Sequence, residues 1–382
     1  MAKVRFRKDT NNSFFGNFLY SQVLPKDHFL VRMKEEIPWE QFTGSLIKAY
    51  KGGGEYGPTP YAPDKILRML MVPYLFNISE REAEEVVRFN LLAKNFVGLG
   101  VDEIPPDHST LTVFKDRLVA YQGQYAWELL FNKIIRYAKG RGITFGKLQI
   151  IDSTHTTADV NIKKDQQRKK EGKPPRDPGA TFKTKGEKDA YTKKGQKVKI
   201  KDTIYGYKAH TSLNEDNNLI TSLKITTAKE DDGKQFQSLV KKDLQKGVIK
   251  DGEEKEKDQP GYSADKGYDD GDNHEFLAGK KLHSAIILKA TRLSKKDQNK
   301  GKWYDLVASP FYQENIKKRK RIEKKFGEEK KHHGLDRCRY LGLTKYAIQA
   351  YLTAIVVNLK QIMALTLPVR DKIPGAYCFS TG

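Results

Sequence analysis

The chain has 382 residues, of which 38% are hydrophobic and 31% charged, so it is long enough to build two or three globular domains. Its formal charge of +22 favours a polyanionic partner, with nucleic acid ahead of an anionic membrane. The sequence shows neither an apolar signal core nor a run of roughly 18 apolar residues, and we expect neither secretion nor membrane insertion. Its two cysteines are too few for a disulfide framework or a four-cysteine zinc site, which predicts a reducing cytoplasm.

The first 140 residues are predicted to form a helical domain. About 30 residues without a clear period are expected to be an irregular lead-in, and apolar residues then recur at helical spacing up to about Lys139. Ser79 and Glu82 have the spacing of a capping box, so a helix is expected to begin there. The strongest amphipathic pattern comes from Trp127, Leu130, Phe131, Ile134, Ile135 and Ala138.

A second domain of strands and helices is predicted over residues 141–367. Gly140 and Gly142 mark the change from a helical to an extended pattern. Strands are expected at residues 148–151, 203–212, 219–226, 261–265 and 284–288. Later helices are expected at about 310–331 and 343–365; the second has a wide apolar face that polar residues interrupt, so core packing is expected rather than membrane contact. Residues 368–382 are expected to be an unpaired tail.

Residues 161–201 interrupt the second domain with a strongly basic insertion. The segment carries 15 Lys and Arg against 5 Asp and Glu, together with Pro174, Pro175 and several glycines. Such a composition cannot bury a core, so a solvated loop is predicted. A surface that contacts phosphates is favoured over a passive linker, because the loop is inserted beside a candidate acidic site.

Three carboxylates stand at positions that suit a common site. Asp152 ends the first strand, Asp265 ends a later strand, and Glu323 lies in a very basic stretch. On a helix, one face would be shared by Ile316, Arg319, Glu323, Phe326 and Lys330. A mixed sheet flanked by helices could bring the three acids to one edge. Their oxygen ligands suit Mg²⁺ or Mn²⁺, and two such ions would serve phosphodiester chemistry.

Other interpretations of these residues stay open. The helix around Glu323 also fits a solvated face with Lys–Glu pairs. Four histidines lack zinc spacing and are expected to make loop or backbone hydrogen bonds: His155, His210, His332 and His333. Three aspartates are better placed as turn or capping residues: Asp159, Asp202 and Asp269. Glu328 and Glu329 rival Glu323 as a metal ligand, but they lie off its helical stripe.

Five segments, in this order, resemble bacterial insertion-sequence transposases of the DDE class: residues 152–155, 205–210, 219–221, 264–268 and 319–327. Residues 106–114 are similar to the N-terminal domain of those proteins. The resemblance implies a mixed α+β fold, in which an all-helical N-terminal domain, expected to bind DNA ends, precedes a ribonuclease H-like mixed β-sheet domain flanked by helices. It also implies cut-and-paste DNA transposition, with binding of terminal inverted repeats, metal-dependent strand cleavage and joining of the 3′ hydroxyl to target DNA.

The resemblance assigns roles to individual residues. The family's catalytic and metal-binding acids correspond by position to Asp152, Asp265 and Glu323, with Mg²⁺ or Mn²⁺ as the cofactor, as two ions. The signature Tyr-x2-Arg-x3-Glu-x6-Lys is kept at Arg319, Glu323 and Lys330, whereas Ile316 stands where Tyr is expected. That departure concerns an orienting or DNA-contacting role and leaves the metal site intact. The expected DNA contacts are Arg319, Lys330, Lys208 and Lys266.

Two alternatives to a transposase stay open. One is a nuclease on the same scaffold that cleaves without strand transfer. The other is a DNA-binding protein derived from a transposase, without catalysis, and the three retained acids argue against it. The expected partners are double-stranded DNA, as terminal inverted repeats and target, and further copies of the chain in a synaptic homodimer or higher oligomer. We expect a bacterial cytoplasmic protein that is nucleoid-associated when bound to DNA.

Overall fold

The computed structural model describes residues 6–7, 14–44, 46–50, 59–191, 196–252, 259–294 and 298–366. The chain forms two compact units: residues 1–141, 332–334 and 351–382 in unit 1, and residues 142–331 and 335–350 in unit 2. The change of unit after Arg141 lies beside the change of pattern in the sequence, whereas the end of the last helix groups with unit 1. The functional domain limits, 1–140 and 141–367, stay a prediction, and the predicted tail 368–382 lies outside the described residues.

Unit 1 is built from helices. Those before Gly142 are α1 (Phe14–Val23), α2 (Phe29–Glu36), α3 (Trp39–Thr43), α4 (Pro63–Leu75), α5 (Glu80–Phe89), α6 (Leu91–Val97), α7 (His108–Gln122) and α8 (Tyr125–Gly140), with a 3-10 helix at Leu46–Ala49. The predicted capping box is present, because the Ser79 hydroxyl accepts from the Glu82 amide while the Glu82 carboxylate accepts from the Ser79 amide. The predicted apolar face of α8 is buried, with Trp127 and Phe131 fully enclosed.

The irregular lead-in predicted for the first 30 residues is wrong over its described part. Helix α1 and the start of α2 lie within it. In α2, Leu30, Val31 and Met33 are buried, so packing within unit 1 stabilises a helix too short to be stable alone. His28 caps it by accepting the Leu30 N–H through Nδ1 at 3.1 Å.

Unit 2 is organised around a mixed sheet. Its strands are β1 (Leu148–Thr157), β2 (Thr181–Tyr191), β3 (Lys197–Asn214), β4 (Ile220–Thr227), β5 (Gly261–Ala264) and β6 (His283–Ile286). They lie in the order β2-β3-β1-β5-β6, and β4 also pairs with β3. Strands β1, β5 and β6 are parallel, whereas β3 runs antiparallel to β1, β2 and β4. The predicted fold class is confirmed as a helical N-terminal region followed by a mixed sheet with flanking helices.

Further helices lie between and after the strands in the described part of the chain. They are α9 (Ile162–Lys170), α10 (Gly233–Lys246), α11 (Gly271–Gly279), α12 (Lys300–Ala308), α13 (Pro310–Asn315), α14 (Lys320–His333) and α15 (Leu343–Thr366). Helix α10 places Phe236 and Leu239 in one buried cluster with Ile151 of β1 and Tyr262 of β5. Because side chains alternate along a strand, the residues next to Ile151 and Tyr262 point to the opposite face of the sheet.

The single helix predicted over about 310–331 is wrong. Helix α13 ends at Asn315, a 3-10 helix covers Ile316–Arg319, and α14 begins at Lys320. The Asn315 amide donates to the Phe311 carbonyl at 2.9 Å, a side-chain bond of the kind that competes with regular helix geometry. The periodic pattern of the sequence therefore continues through a local change of backbone.

The solvated loop predicted for residues 161–201 is also wrong. The segment folds into α9, β2 and the first part of β3. β2 and β3 pair from Thr181 opposite Gly206 to Tyr191 opposite Lys197, with one bulge after Thr184. Much of this pair is exposed, so the sequence lacks the alternation of apolar and polar residues that marks a half-buried strand. Backbone pairing, which the composition does not reveal, gives the segment its structure.

Helix α15 is apolar and long. Among the described residues it is the one helix that could cross a membrane by length and composition. However, 78% of its most apolar 18-residue window is buried inside the protein. That burial fits the core packing predicted for it, and a single helix of this kind is weak evidence for a membrane span.

Candidate active site

The two aspartates that follow apolar strands lie side by side on the sheet. Strands β1 and β5 pair in parallel with Ile151 opposite Ala264. The next residues, Asp152 and Asp265, are therefore neighbours that point to the same face. That face is opposite the one covered by α10, because Ile151 belongs to the α10 cluster.

Arg319 connects the third predicted acid to this pair. Its guanidinium lies 3.4 Å from Oδ2 of Asp152 and 3.0 Å from Oε1 of Glu323. Arg319 and Glu323 are four residues apart across the start of α14, which places both on one side of the helix. The structure thus brings Asp152, Asp265 and Glu323 into one region, as the sequence predicted; their catalytic role stays a prediction.

The Asp152 carboxyl is unusually hard to ionise for an aspartate. Burial raises its pKa to about 6; the Ser153 amide and Arg319 oppose the rise, and the carboxylates of Asp265 and Asp232 reinforce it. The Ser153 N–H donates to Oδ1 of Asp152 at 2.8 Å. The Ser153 amide and Arg319 therefore do not offset burial and the neighbouring carboxylates, and a bound cation would stabilise the ionised form.

The carboxylate oxygens of the acids fit a hard divalent cation, although the three carboxylates do not converge on one point. Across the described ranges, no group of three His, Cys, Asp or Glu side chains is placed to hold an ion together. Glu323 instead pairs with Arg319. Because the Glu323 side chain is 54% exposed, its carboxylate has room to turn toward the aspartates.

A second polar cluster lies on the α10 face of the sheet and was missed from the sequence. Asp232, just before α10, accepts from Oγ of Ser153 and from Nζ of Lys208, each at 2.9 Å. His210 lies beside them, with Nδ1 3.4 Å from Asp232. Burial lowers the pKa of His210 to about 3, so this imidazole is neutral. The cluster fixes Ser153, the residue next to Asp152.

Lys208 does not fit the predicted DNA contact. Its side chain is fully buried, and its ammonium donates to the Glu230 carbonyl and to Asp232. A phosphate cannot reach this ammonium without displacing Asp232. Lys266 is exposed directly after Asp265, and Lys330 is partly buried on α14, so both stay predicted DNA contacts.

Replacement of Asp232 by alanine is expected to lower the free energy of unfolding by about 2 kcal/mol, because it leaves the buried Lys208 ammonium without its carboxylate. The figure is below that of a fully buried pair because Asp232 is 27% exposed. Urea unfolding of the single variant and of Asp232→Ala/Lys208→Met measures the effect. The double variant should recover part of the loss; equal stability of the wild type and the single variant would contradict this account.

The predicted hydrogen-bonding histidines include two with clear partners. His333 Nδ1 lies 2.7 Å from the Tyr74 carbonyl, within unit 1. His210 Nε2 lies 2.9 Å from Oγ1 of Thr226. His333 therefore has the backbone partner predicted for it, whereas the partner of His210 is a side chain.

Two of the aspartates predicted as turn or capping residues also have partners distant in sequence. Asp269 lies at the C-cap of the 3-10 helix Lys266–Tyr268; it is buried, accepts from the Lys289 amide at 2.7 Å and lies 3.1 Å from His274 Nε2. Asp159 is exposed and pairs with Arg337 at 2.7 Å. Each role depends on a partner distant in sequence, which local turn chemistry does not show.

The rivals of Glu323 lie elsewhere on α14. Glu328 pairs with Lys325 at 2.9 Å. Glu329 is buried, and within the described part of the chain neither of its carboxylate oxygens has a hydrogen-bond partner. Burial raises the pKa of Glu329 to about 8, with Glu328 adding to the rise. Of the three glutamates, only Glu323 shares Arg319 with Asp152.

Two family matches cover most of the chain. Residues 18–117 match the family described as Transposase domain (DUF772), and residues 144–359 match the family described as Transposase DDE domain. Among solved structures, the chain is similar to the piggyBac transposase in a cryo-EM structure of its synaptic complex with hairpin DNA. The sequence identity is 9% and the TM-score 0.41, over 89% of this chain and 74% of that chain. The DDE match spans more than half of the sequence, including Asp152, Asp265 and Glu323, and the chain therefore belongs to the DDE transposases, DNA-cleaving and DNA-joining enzymes that generally depend on divalent metal ions.

Proposed function

We propose that this transposase carries out cut-and-paste transposition. It binds the terminal inverted repeats of an insertion sequence, cleaves strands at the ends and joins the 3′ hydroxyls to target DNA. The observation that carries the proposal is the neighbouring position of Asp152 and Asp265 on one face of the sheet, with Arg319 linking Asp152 to Glu323. Phosphodiester chemistry uses such a group of carboxylates, and the net charge of +22 supports binding of its polyanionic substrate.

Asp152, Asp265 and Glu323 are assigned as the ligands of Mg²⁺ or Mn²⁺, as two ions. Carboxylate oxygens are the ligands these cations prefer. The buried, crowded carboxyl of Asp152 supports the assignment, because such a group gains most from a neighbouring cation. When bound, the ions supply activation of a water or sugar hydroxyl and stabilisation of the leaving oxygen.

The basic side chains at the site hold and orient the DNA backbone. Arg319 neutralises Asp152 and Glu323 in the present arrangement, and its planar guanidinium suits a phosphate oxygen once Glu323 turns away. Lys266 is exposed next to Asp265 and offers a point charge at the same edge. Lys330 lies seven residues after Glu323, two turns along α14, and is assigned to the flanking phosphates.

The remaining assignments concern assembly and location. A homodimer or higher oligomer brings two element ends together with target DNA, since joining both ends requires both in one complex. Mg²⁺ is the expected ion, and the bacterial cytoplasm, at the nucleoid, is the expected place. The composition supports this location through its low cysteine content and its high positive charge.

An assay with purified protein tests the proposal. DNA that spans one end of the insertion sequence, labelled on the element side, is incubated with a plasmid target, in Mg²⁺ or in EDTA. Two matched pre-cleaved element ends, one with a 3′ hydroxyl and one with a 3′ dideoxynucleotide at the cleavage site, test the joining step separately. We expect Mg²⁺-dependent cleavage, and labelled plasmid from the hydroxyl-bearing end alone. Cleavage without joining would instead indicate a nuclease, and binding without cleavage would indicate a catalytically silent DNA-binding protein.

A further inference from the structure

A two-stranded ribbon extends from the sheet of unit 2. The pairing of β1 with β3 ends at Gly206, whereas β3 continues to pair with β2 as far as Lys197. We call residues 182–191 and 197–205 the ribbon. Lys197, Lys199 and Lys201 occupy alternate positions of β3, so they point to one face, which we call the lysine face.

The cross-strand register defines what else lies on the lysine face. Tyr191, Asp189 and Glu187 stand opposite Lys197, Lys199 and Lys201. Residues directly opposite each other in an antiparallel pair share a face. The three lysines therefore form a row with steps of about 7 Å, set by two residues per step along a strand.

The acids of the lysine face form only exposed ion pairs with the lysines. Lys197 lies 2.8 Å from Asp189, and Lys199 lies 4.0 Å from Glu187. All four side chains are about half exposed or more, and exposed ion pairs contribute little to stability. A phosphate, with its higher charge density, can displace either acid at small cost.

Exposed aromatic side chains lie at both ends of the lysine face. Tyr191 is 73% exposed beside Lys197, and Phe182 is 53% exposed at the base of the ribbon, where it packs on Tyr205 with ring centroids 4.5 Å apart. Exposed aromatic rings beside a row of basic side chains are a common feature of nucleic-acid-binding surfaces. The basic helix α9 lies near the base, because its Asp165, after burial and Asp177, helps to raise the pKa of Tyr205.

The opposite face of the ribbon does not offer a protein interface of useful size. Val198 and Ile200 are 37% and 42% exposed and form a short apolar stripe there. A stable protein interface buries about 800 Å² on each partner, far more than these side chains supply. The excess of lysine on the ribbon also opposes pairing with a second copy of itself.

We propose that the lysine face of the ribbon docks on duplex DNA outside the carboxylate site. Lys197, Lys199 and Lys201 contact phosphates, and Tyr191 and Phe182 pack against the sugar and base edges. A two-stranded ribbon, with strands about 4.8 Å apart, fits a major groove about 12 Å wide. The inference rests on the proposed function in one respect, that DNA is the substrate, and it adds a binding surface and its residues.

The test uses two variants that break the same ion pairs but change the charge in opposite directions. They are Lys197→Gln/Lys199→Gln and Glu187→Gln/Asp189→Asn, made in the full chain. Lys250→Gln/Lys300→Gln, at exposed positions outside the ribbon, controls for net charge. Fluorescence anisotropy in EDTA gives the Kd for a duplex of about 30 base pairs, and for one of its strands alone, between about 50 and about 300 mM NaCl.

The lysine variant should bind the duplex about tenfold more weakly near ~150 mM NaCl, with a salt slope smaller by about 2, because each phosphate contact releases nearly one counterion. The acid variant should bind several-fold more tightly, because it frees the lysines. The proposal would be overturned if both variants changed the Kd in the same direction, or if neither changed it more than the control does. It would also be overturned if only binding of the single strand were weakened. A changed oligomeric state with unchanged Kd would overturn it as well.

Cleavage in Mg²⁺ separates this inference from the proposed function. If the wild type cleaves and joins DNA while the ribbon variants bind like the control, the inference alone fails. If the ribbon variants bind as expected but the wild type does not cleave, the inference stands and the proposed transposition fails.

Discussion

Replacement of Asp265 by asparagine is expected to abolish metal-dependent strand cleavage, with a loss on the order of 10³-fold or more in rate. The substitution would keep the size of the side chain but remove the negative charge proposed to hold a cation beside Asp152. DNA affinity in EDTA should be equal or higher, because a negative charge is removed from a surface that faces phosphates. Single-turnover cleavage and anisotropy on the same preparation measure the two effects.

Asp305→Asn is the matched control for this prediction. Asp305 is an exposed aspartate on α12, and its replacement makes the same chemical change away from the strand ends. It should leave cleavage within about twofold of the wild type, as expected for an exposed position away from the site. Cleavage by Asp265→Asn at the normal rate would show that Asp265 is not a metal ligand.

The second large effect separates Glu323 from its rival Glu329. Glu323→Gln should abolish cleavage, since it removes a carboxylate from the group around Arg319. Glu329→Gln should keep cleavage and stabilise the protein, because the buried Glu329 carboxylate has no hydrogen-bond partner among the described residues. Cleavage assays and urea unfolding of both variants assign the third ligand. Loss of cleavage in a well-folded Glu329→Gln variant would contradict the assignment.

The stabilisation by Glu329→Gln should depend on pH. Burial raises the pKa of Glu329 to about 8 from its ordinary value of 4.5. Between about pH 5 and about pH 8, the folded state therefore keeps a proton that the unfolded chain releases. The free energy of unfolding consequently falls as the pH rises through this range. The variant should match the wild type near pH ~4.5 and exceed it by about 4 kcal/mol at pH ~8.5. A pH-independent difference would show that Glu329 is not protonated in the fold.

The parts of the site that depend on local pattern could be predicted from the sequence. Asp152 and Asp265 follow short apolar runs, and strands of that kind pair within a sheet, so their carboxylates meet. The spacing of Arg319 and Glu323 predicted that they share one helix face, and the structure pairs them across one helical turn. The helix at Ser79 followed in the same way from a capping box.

The parts that depend on distant pairing could not be predicted. Asp232 lies in the turn-like sequence before α10, and its role arises from Lys208, 24 residues earlier. A lysine between Tyr207 and Ala209 in a buried strand was the available signal, because a buried ammonium requires a partner. The ribbon was missed for the opposite reason, since its exposed strands need no apolar alternation.

The most direct test of the central claim is excision in cells. The coding region and its native flanks are cloned in a plasmid, the protein is expressed, and PCR detects the rejoined donor site, with Asp152→Ala as the control. We expect a shortened junction product with the wild type alone, and its sequence would give the element ends. A product that appears equally with Asp152→Ala would show that excision does not use this carboxylate site and would contradict the account.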